Sequence, residues 1–175
     1  TDVKIEKPAD FVGKKVGAPG LNSIMHVMFV HWLKKNKVDP AKVTFVEAAF
    51  PQFGDLIKGK QIDAALVVEP FRARIKGAGI AKDFTNFFAD VRDNAIFVFW
   101  AVSSDWAAKN PKAAADIRAA LDEGLAFIRS NPDEAKKSQI THLGLPAEVV
   151  AKLPLPTFEN KVDPAEVQFW VDLSR

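Results

Sequence analysis

The chain has 175 residues, 48% hydrophobic and 26% charged, a balance that suits a folded chain with a substantial core and excludes disorder, collagen-like repeats and membrane-spanning runs. Its 24 Lys and Arg against 22 Asp and Glu leave a net charge of +2, too small and too evenly spread to hold a phosphate backbone, so nucleic acid is not an expected partner. Cysteine is absent, which removes disulfides, thiolate nucleophiles, zinc knuckles and iron–sulfur clusters together and leaves the compartment open.

The chain begins at Thr1, and no basic stretch followed by an apolar run precedes the first predicted element, so a signal peptide is not expected within it. Residues 1–101 carry short apolar runs rich in β-branched and aromatic residues, each followed by a helical pattern, as alternating strand and helix units read. The predicted strands are Lys15–Ala18, Val43–Glu47, Ile62–Val68 and Ile96–Val102. Between the first two, Ser23–Asn36 has helix length, a cap candidate at Asn22 or Ser23, and Lys34 and Lys35 in the last turn, where cations suit the dipole. Its broad apolar stripe predicts burial against a sheet. A short helix follows Pro51 and stops at Gly59, and IDAALVVEP feeds directly into FRARIKGAG. Strands joined through helices favour parallel pairing, so the fold class read from the residues is α/β.

After Ser103 the pattern becomes helical, with Pro at the first helical position behind a capping residue at Asn110-Pro111, Asn131-Pro132 and Asp163-Pro164. Glu134 and Glu166 complete capping boxes in two of these. Ile117, Leu121, Leu125 and Ile128 share one helix face, which must pack on something. Gly144 is expected to close the next helix and Pro146 to open a short one. Charge divides with the pattern: residues 1–101 hold 15 basic and 11 acidic side chains, and residues 102–175 hold 9 and 11.

The strongest local signal is Val16–Ser23, in which a strand runs through a glycine-containing turn to a helix N-terminus. Free N–H groups and the positive end of the helix dipole converge there, which suits a sulfonate, carboxylate, nitrate or phosphate. The segment is neither a Walker sequence nor a GxGxxG fingerprint, and a plain turn and cap explains it equally well. Phe50-Pro51-Gln52 and Glu69-Pro70-Phe71 sit at equivalent places after predicted strands, and loops at strand carboxyl ends line the crevice of open α/β sheets. Gln52 can donate or accept; Glu69 can take a ligand N–H or cation, or simply cap the following helix.

His26 and His31 are five apart, roughly 140° around a helix, so they do not form an i, i+4 metal pair. With His142 distant and cysteine absent, no metal and no cofactor is expected. A packing role is the safer reading of either histidine. No serine lies in GxSxG or SxxK, and Asp122-Glu123 and Asp133-Glu134 read as helix surface and cap residues. No catalytic residue is therefore expected.

The run from KPADFVGKKVGAPGLNS through VDPAKVTFVEAAFPQFGDLIKGKQIDAALVVEPF resembles the second lobe of the extracytoplasmic solute-binding proteins of ABC importers in the nitrate, sulfonate, taurine and thiamine-precursor group. The similarity continues through AVSSDWAAKNPKAAADIRAAL and IRSNPDEAKK, which resemble the family's return helices. The resemblance implies a type II periplasmic binding fold, with residues 1–13 as an inter-lobe linker, 14–101 as the α/β ligand-binding lobe and 102–175 as the helical return segment of the partner lobe. It implies lobe closure on a small anionic or zwitterionic solute and delivery to a membrane permease, outside the cytoplasm and without catalysis. Carried onto this sequence, the ligand-facing residues are Gly20, Leu21, Asn22, Ser23, Phe50, Gln52, Glu69 and Phe71.

Members usually have a further segment ahead of the equivalent of Thr1. The resemblance thus implies a fragment, a truncated chain, or a chain completed by a second copy, with the apolar faces of Asn110–Ser130 and Asp163–Arg175 lacking a partner. Two rivals share the scaffold. Pyrimidine-precursor synthases rely on a cysteine motif absent here; an effector-sensing domain of a transcription regulator would carry a helix-turn-helix ahead of Thr1.

Overall fold

Val16 and Ala18 are completely buried and Gly17 lies between them, and this small apolar run, Lys15–Ala18 (β1), is the central strand of a three-stranded sheet ordered β2-β1-β3. The computed structural model describes residues 3–92, 95–96, 98–143 and 146–173. Both neighbours, Thr44–Glu47 (β2) and Ala64–Ala65 (β3), run parallel to β1. In register, Ala18 lies opposite Glu47 and Gly17 opposite Ala65.

Helix Ile24–Lys35 (α1) begins behind Ser23, whose side chain accepts from His26 N, and ends with Lys34 and Lys35 in its last turn. Met25, Met28, Phe29, Trp32 and Leu33 are buried on it and join Val16, Ala18, Phe11 and Val43 in one core layer. Phe29 stacks on Trp32, and Phe11 meets both rings edge to face, arrangements worth about 0.5–1.5 kcal/mol each beyond area burial. Trp32 Nε1 donates to Asp90 Oδ2 at 3.0 Å, fixing helix Phe87–Val91 (α4) on α1. On the opposite sheet face, Phe53 and Ile57 of Phe53–Lys58 (α2) pack with Ile62 and with Ile75 of Phe71–Gly77 (α3). Gly17 permits this second layer: a Cβ there would lie 2.8 Å from Phe53 Cε1 and 2.8 Å from Ile62 Cδ1.

The strand predicted over Ile62–Val68 shrinks to Ala64–Ala65, flanked by the buried Ile62 and Leu66. The strand predicted over Ile96–Val102 is not formed among the described residues, of which residue 97 is not one. Val98, Trp100 and Val102 are 71%, 84% and 54% exposed, and β propensity needs a neighbouring strand and a packing face to act.

Contacts divide the chain into two units, Thr1–Ala95 with Gln168–Arg175, and Ile96–Val167, whereas the sequence reading divides it at 101/102. In the first unit, Trp170 lies against Phe88 and the Arg92 guanidinium sits 4.7 Å over the Phe169 ring, so cation–π attraction and aromatic packing hold the chain's last described turns there.

The second unit carries Ser104–Lys109 (α5), Pro111–Ser130 (α6), Pro132–Leu143 (α7) and Ala147–Val150 (α8). A further helix, Pro164–Leu173 (α9), begins in it. Among the described residues of the second unit Val150 and Leu153 are the buried apolar side chains, while α6 buries none, Ile117 and Phe127 being 45% and 52% exposed. Arg118 and Arg129 donate to the carbonyls of Asn160 and Phe158, tethering the segment ahead of α9. Proline opens α6, α7 and α9 as expected. Asp163 caps forward, accepting from Ala165 N at 2.8 Å, whereas Asn110 and Asn131 reach back to the carbonyls of Trp106 and Phe127. Glu134 pairs with Lys137. The helix stop expected at Gly144 lies outside the described residues.

Candidate functional site

Because β1, β2 and β3 are parallel, the segments that follow them leave from the same end of the sheet. The three stretches singled out in the sequence, Gly20–Ser23, Phe50–Gln52 and Glu69–Phe71, are those segments.

The first is a tight turn in which Ser23 N donates to Gly20 O at 3.2 Å and Asn22 takes φ +64°, a left-handed conformation that Asn tolerates better than most residues. Leu21 N donates to Glu47 Oε2 at 3.1 Å, and Asn22 N to His26 Nδ1 at 3.1 Å. Ser23 Oγ accepts from His26 N at 3.5 Å. The sequence reading expects free amides for an anion here; the amides of Leu21 and Asn22 are instead held by a carboxylate and an imidazole of the chain itself. Glu47 closes β2 and lies opposite Ala18 in register, which places its carboxylate beside the turn that β1 leads into. The other oxygen of Glu47 has no partner among the described residues.

The second segment is a one-turn 3-10 helix, Phe50–Gln52, closed by Ala49 N donating to Gln52 Oε1 at 2.9 Å. The Gln52 amide nitrogen is left for another acceptor. Phe50 stacks on Phe71 with centroids 5.3 Å apart and meets Phe53 edge to face, so Phe50 and Phe71 come together.

In the third segment Glu69 takes the local role that the sequence left open: Oε2 accepts from Ala73 N at 3.0 Å and Oε1 from Arg72 Nη1 at 2.6 Å. The Glu69–Pro70 peptide is cis. Arg72 also grips both oxygens of Asp83 at 2.9 and 2.8 Å, and Lys76 Nζ donates to Asp83 at 2.6 Å. The hydrogen bond to Glu69, then that to Asp83, raises the Arg72 pKa; the Lys76 hydrogen bond, with those of Arg72, holds the Asp83 carboxyl below its usual range.

Sequence reasoning named His26 but not its bond to Asn22, and it left Glu47 inside a strand and Arg72 inside a helix. The signal for Glu47 was its position, a charged residue ending an otherwise apolar strand. Burial lowers the His26 pKa, and the Phe45 ring meets its imidazole edge-on at 4.4 Å. Since Ser23 Oγ caps a backbone amide while the imidazole is turned to Asn22, the two do not form a nucleophile and base. The arrangement offers a carboxylate oxygen, two carboxamides and an aromatic pair.

None of the eight expected site residues lines a recess of about 1040 Å³ beside β3, which is bordered by Ile5, Phe11, Ala65, Ile75 and Asp83 among others. A hollow of about 140 Å³ is lined by Asn22, His26, His31, Lys34 and neighbours. Among the described residues no group of three or more His, Cys, Asp or Glu is placed to hold a metal, and no helix is long and apolar enough to cross a membrane.

A family model described as NMT1/THI5 like matches residues 1–135. A putative ABC transporter periplasmic binding protein of Brachyspira hyodysenteriae (strain ATCC 49526 / WA1) is 34% identical over 90 residues, 50% of this chain and 26% of the relative. The chain also superimposes on the periplasmic aliphatic sulphonate binding protein of Escherichia coli, with a TM-score of 0.79 and 17% identity over 99% of this chain and 59% of that one. The alkanesulfonate-binding protein of Xanthomonas axonopodis pv. citri, bound to MOPS, gives a TM-score of 0.69 at 17% identity, covering 85% of this chain and 50% of that one. At such identity these likenesses carry the fold, an α/β periplasmic-binding-protein fold, and the chain spans 59% and 50% of the lengths of these two solved proteins.

Proposed function

The chain belongs to the NMT1/THI5-like family, and from that premise we propose that it is part of an extracytoplasmic solute-binding protein that holds a small zwitterionic or anionic solute and delivers it to an ABC import permease. The observation that supports this most is the parallel sheet, which sends Gly20–Ser23, Phe50–Gln52 and Glu69–Phe71 off one end, where open α/β sheets receive ligands. The sulfonate, nitrate, carboxylate and pyrimidine classes are all compatible with the family. Glu47 favours a solute that carries a hydrogen-bond donor or a positive charge besides any anionic group, because a bare anion approaching Leu21 meets a carboxylate already seated there.

In this reading the protein makes and breaks no covalent bond. Lobe closure desolvates the solute, and the closed form is favoured because the solute touches both lobes. Residues outside this chain, or a second copy of it, supply the rest of the pocket. Phe50 and Phe71 form an apolar wall; Asn22, Gln52 and Glu47 supply polar contacts.

A thermal-shift screen of the complete gene product tests this, with taurine, ethanesulfonate, nitrate, bicarbonate, an aromatic acid and an aminopyrimidine as probes. One class should raise the melting temperature saturably, as a ligand bound by the native state alone must. A flat response to every probe, repeated by calorimetry, overturns the reading.

A further inference from the structure

We propose that the neutral imidazole of His26 is the positioning group of the turn between β1 and α1: its Nδ1 holds the Asn22 amide, and protonation of that nitrogen releases the turn. The role of the turn in binding rests on the function proposed above; the lock itself does not.

The geometry leaves one tautomer. Asn22 N donates to His26 Nδ1 at 3.1 Å, so Nδ1 presents its lone pair and the ring proton sits on Nε2. The bond spans four residues, from a turn residue at φ +64° to the first turn of α1. It therefore ties an otherwise unfavourable backbone conformation to the helix. Phe45, reaching from β2, packs edge-on against the ring at 4.4 Å and fixes its plane. One residue earlier, Leu21 N is held by Glu47, so consecutive amides are pinned by two different elements.

Protonation removes the lone pair and sets two N–H groups against each other. It also places a cation in the first turn of a helix, where the dipole opposes it. The charged and titratable groups around His26 pull in both directions. From β2, the Glu47 carboxylate favours the imidazolium; from α1 itself, His31 and Lys34, which border the same hollow, oppose it. Among the described residues the C-terminal helix contributes the apolar Leu173 to that hollow, and β1 ends in uncharged residues. Burial of the ring adds to the preference for the neutral form.

Nitrogen-detected NMR of the complete gene product, free of any solute, reads the lock directly. Near neutral pH the His26 ring should show the Nε2–H tautomer, and the Asn22 amide should move in step with the His26 titration between about pH 8 and pH 5. The His26→Asn variant can place an acceptor, Oδ1, near where Nδ1 stood and does not titrate. Its Asn22 amide should stay near the neutral wild-type position across the whole range. With taurine or ethanesulfonate as the probe, whichever binds, wild-type affinity should fall by about three- to tenfold toward pH 5 and that of His26→Asn should not.

An Nδ1–H tautomer, or an Asn22 amide indifferent to the His26 titration, overturns the proposal even if solutes bind. Failure of every probe to bind, with the amide still tracking His26, sinks the solute-binding reading and leaves the lock standing. Parallel loss of affinity with pH in wild type and His26→Asn likewise counts against the lock.

Discussion

The rings of Phe50 and Phe71 lie stacked, 13° from parallel with centroids 5.3 Å apart, although Phe50 follows β2 and Phe71 opens α3. The strands that lead to them, β2 and β3, flank β1 on opposite sides, so the pair bridges across the end of the central strand and holds the second and third segments together. Phe50 also meets Phe53, one of the largest fully buried side chains. The half-buried pair is thereby anchored to the core.

Truncation at this pair should be felt in both stability and binding. Phe71→Ala should cost about 1–3 kcal/mol, combining lost burial with about 0.5–1.5 kcal/mol of ring interaction. Phe71→Leu should recover most of the burial and none of the stacking. Urea denaturation of the two variants separates these terms; equal stability of both with wild type would show that the stack holds nothing.

Glu47→Gln preserves an acceptor for Leu21 N and deletes the charge beside the turn. If Glu47 selects against bare anions, ethanesulfonate should gain affinity and taurine should lose it, each by about five- to tenfold. Titration calorimetry of both solutes on both proteins gives the ratio directly. An unchanged ratio removes Glu47 from recognition, whatever the absolute affinities.

The first half of the fold is legible in the sequence because its signals are local. Ser23 caps α1, Gly59 ends α2, and the buried face of α1 follows its apolar spacing. The departure of three loops from one end of the sheet was legible, and their hydrogen-bond partners were not. Loops after parallel strands can be read from strand and helix order, but the partners of their amides depend on cross-strand register, which joins Leu21 to Glu47 across 26 residues. Ile96–Val102 misled for a related reason: its composition is that of a strand, yet a strand exists only beside another, and no neighbouring strand accompanies its described residues. Asn110 and Asn131 carry the residue type of an N-cap, but their side chains find the carbonyls behind them first.

Gly17→Ala tests the packing that puts helices on both faces of the sheet. The added methyl would stand 2.8 Å from both Phe53 Cε1 and Ile62 Cδ1. Phe53 is completely buried and has nowhere to withdraw, so Ile62 must turn or the strand must shift, at about 1–3 kcal/mol. Denaturation midpoints measure this. A neutral result would mean that the second core layer is looser than its burial implies.

The Arg72, Lys76 and Asp83 cluster should give a small, acid-sensitive contribution. Lys76 and Arg72 lower the Asp83 pKa in the folded chain, so the folded state binds the proton less readily than the unfolded one. Its contribution is present above the ordinary carboxyl value of 3.8 and is lost as pH falls through the lower folded value. Asp83 is about one-third exposed and Arg72 nearly half, so screening limits the stability at stake to under about 1 kcal/mol. Carboxyl-carbon NMR should place the Asp83 midpoint below 3.8, and Asp83→Asn should flatten the acid limb of the stability curve slightly. A midpoint at or above the ordinary value would mean that these hydrogen bonds do not persist in solution.

The 175-residue chain on its own should expose sticky surface. Trp100 is 84% exposed, Val98 71% and Phe127 52%, more large apolar side chain than a stable monomer commonly leaves in water. The solved structures it superimposes on are longer, the chain covering 59% and 50% of their lengths, so we expect these residues to be covered by polypeptide beyond this chain or by a second copy. The isolated chain should bind an environment-sensitive dye and gain mass with concentration in light scattering. In the complete gene product, quenching experiments on variants that retain Trp100 as the single tryptophan should find it protected. A monomeric isolated chain that ignores the dye, together with a fully quenchable Trp100 in the longer protein, would mean that this apolar surface has no partner in the fold.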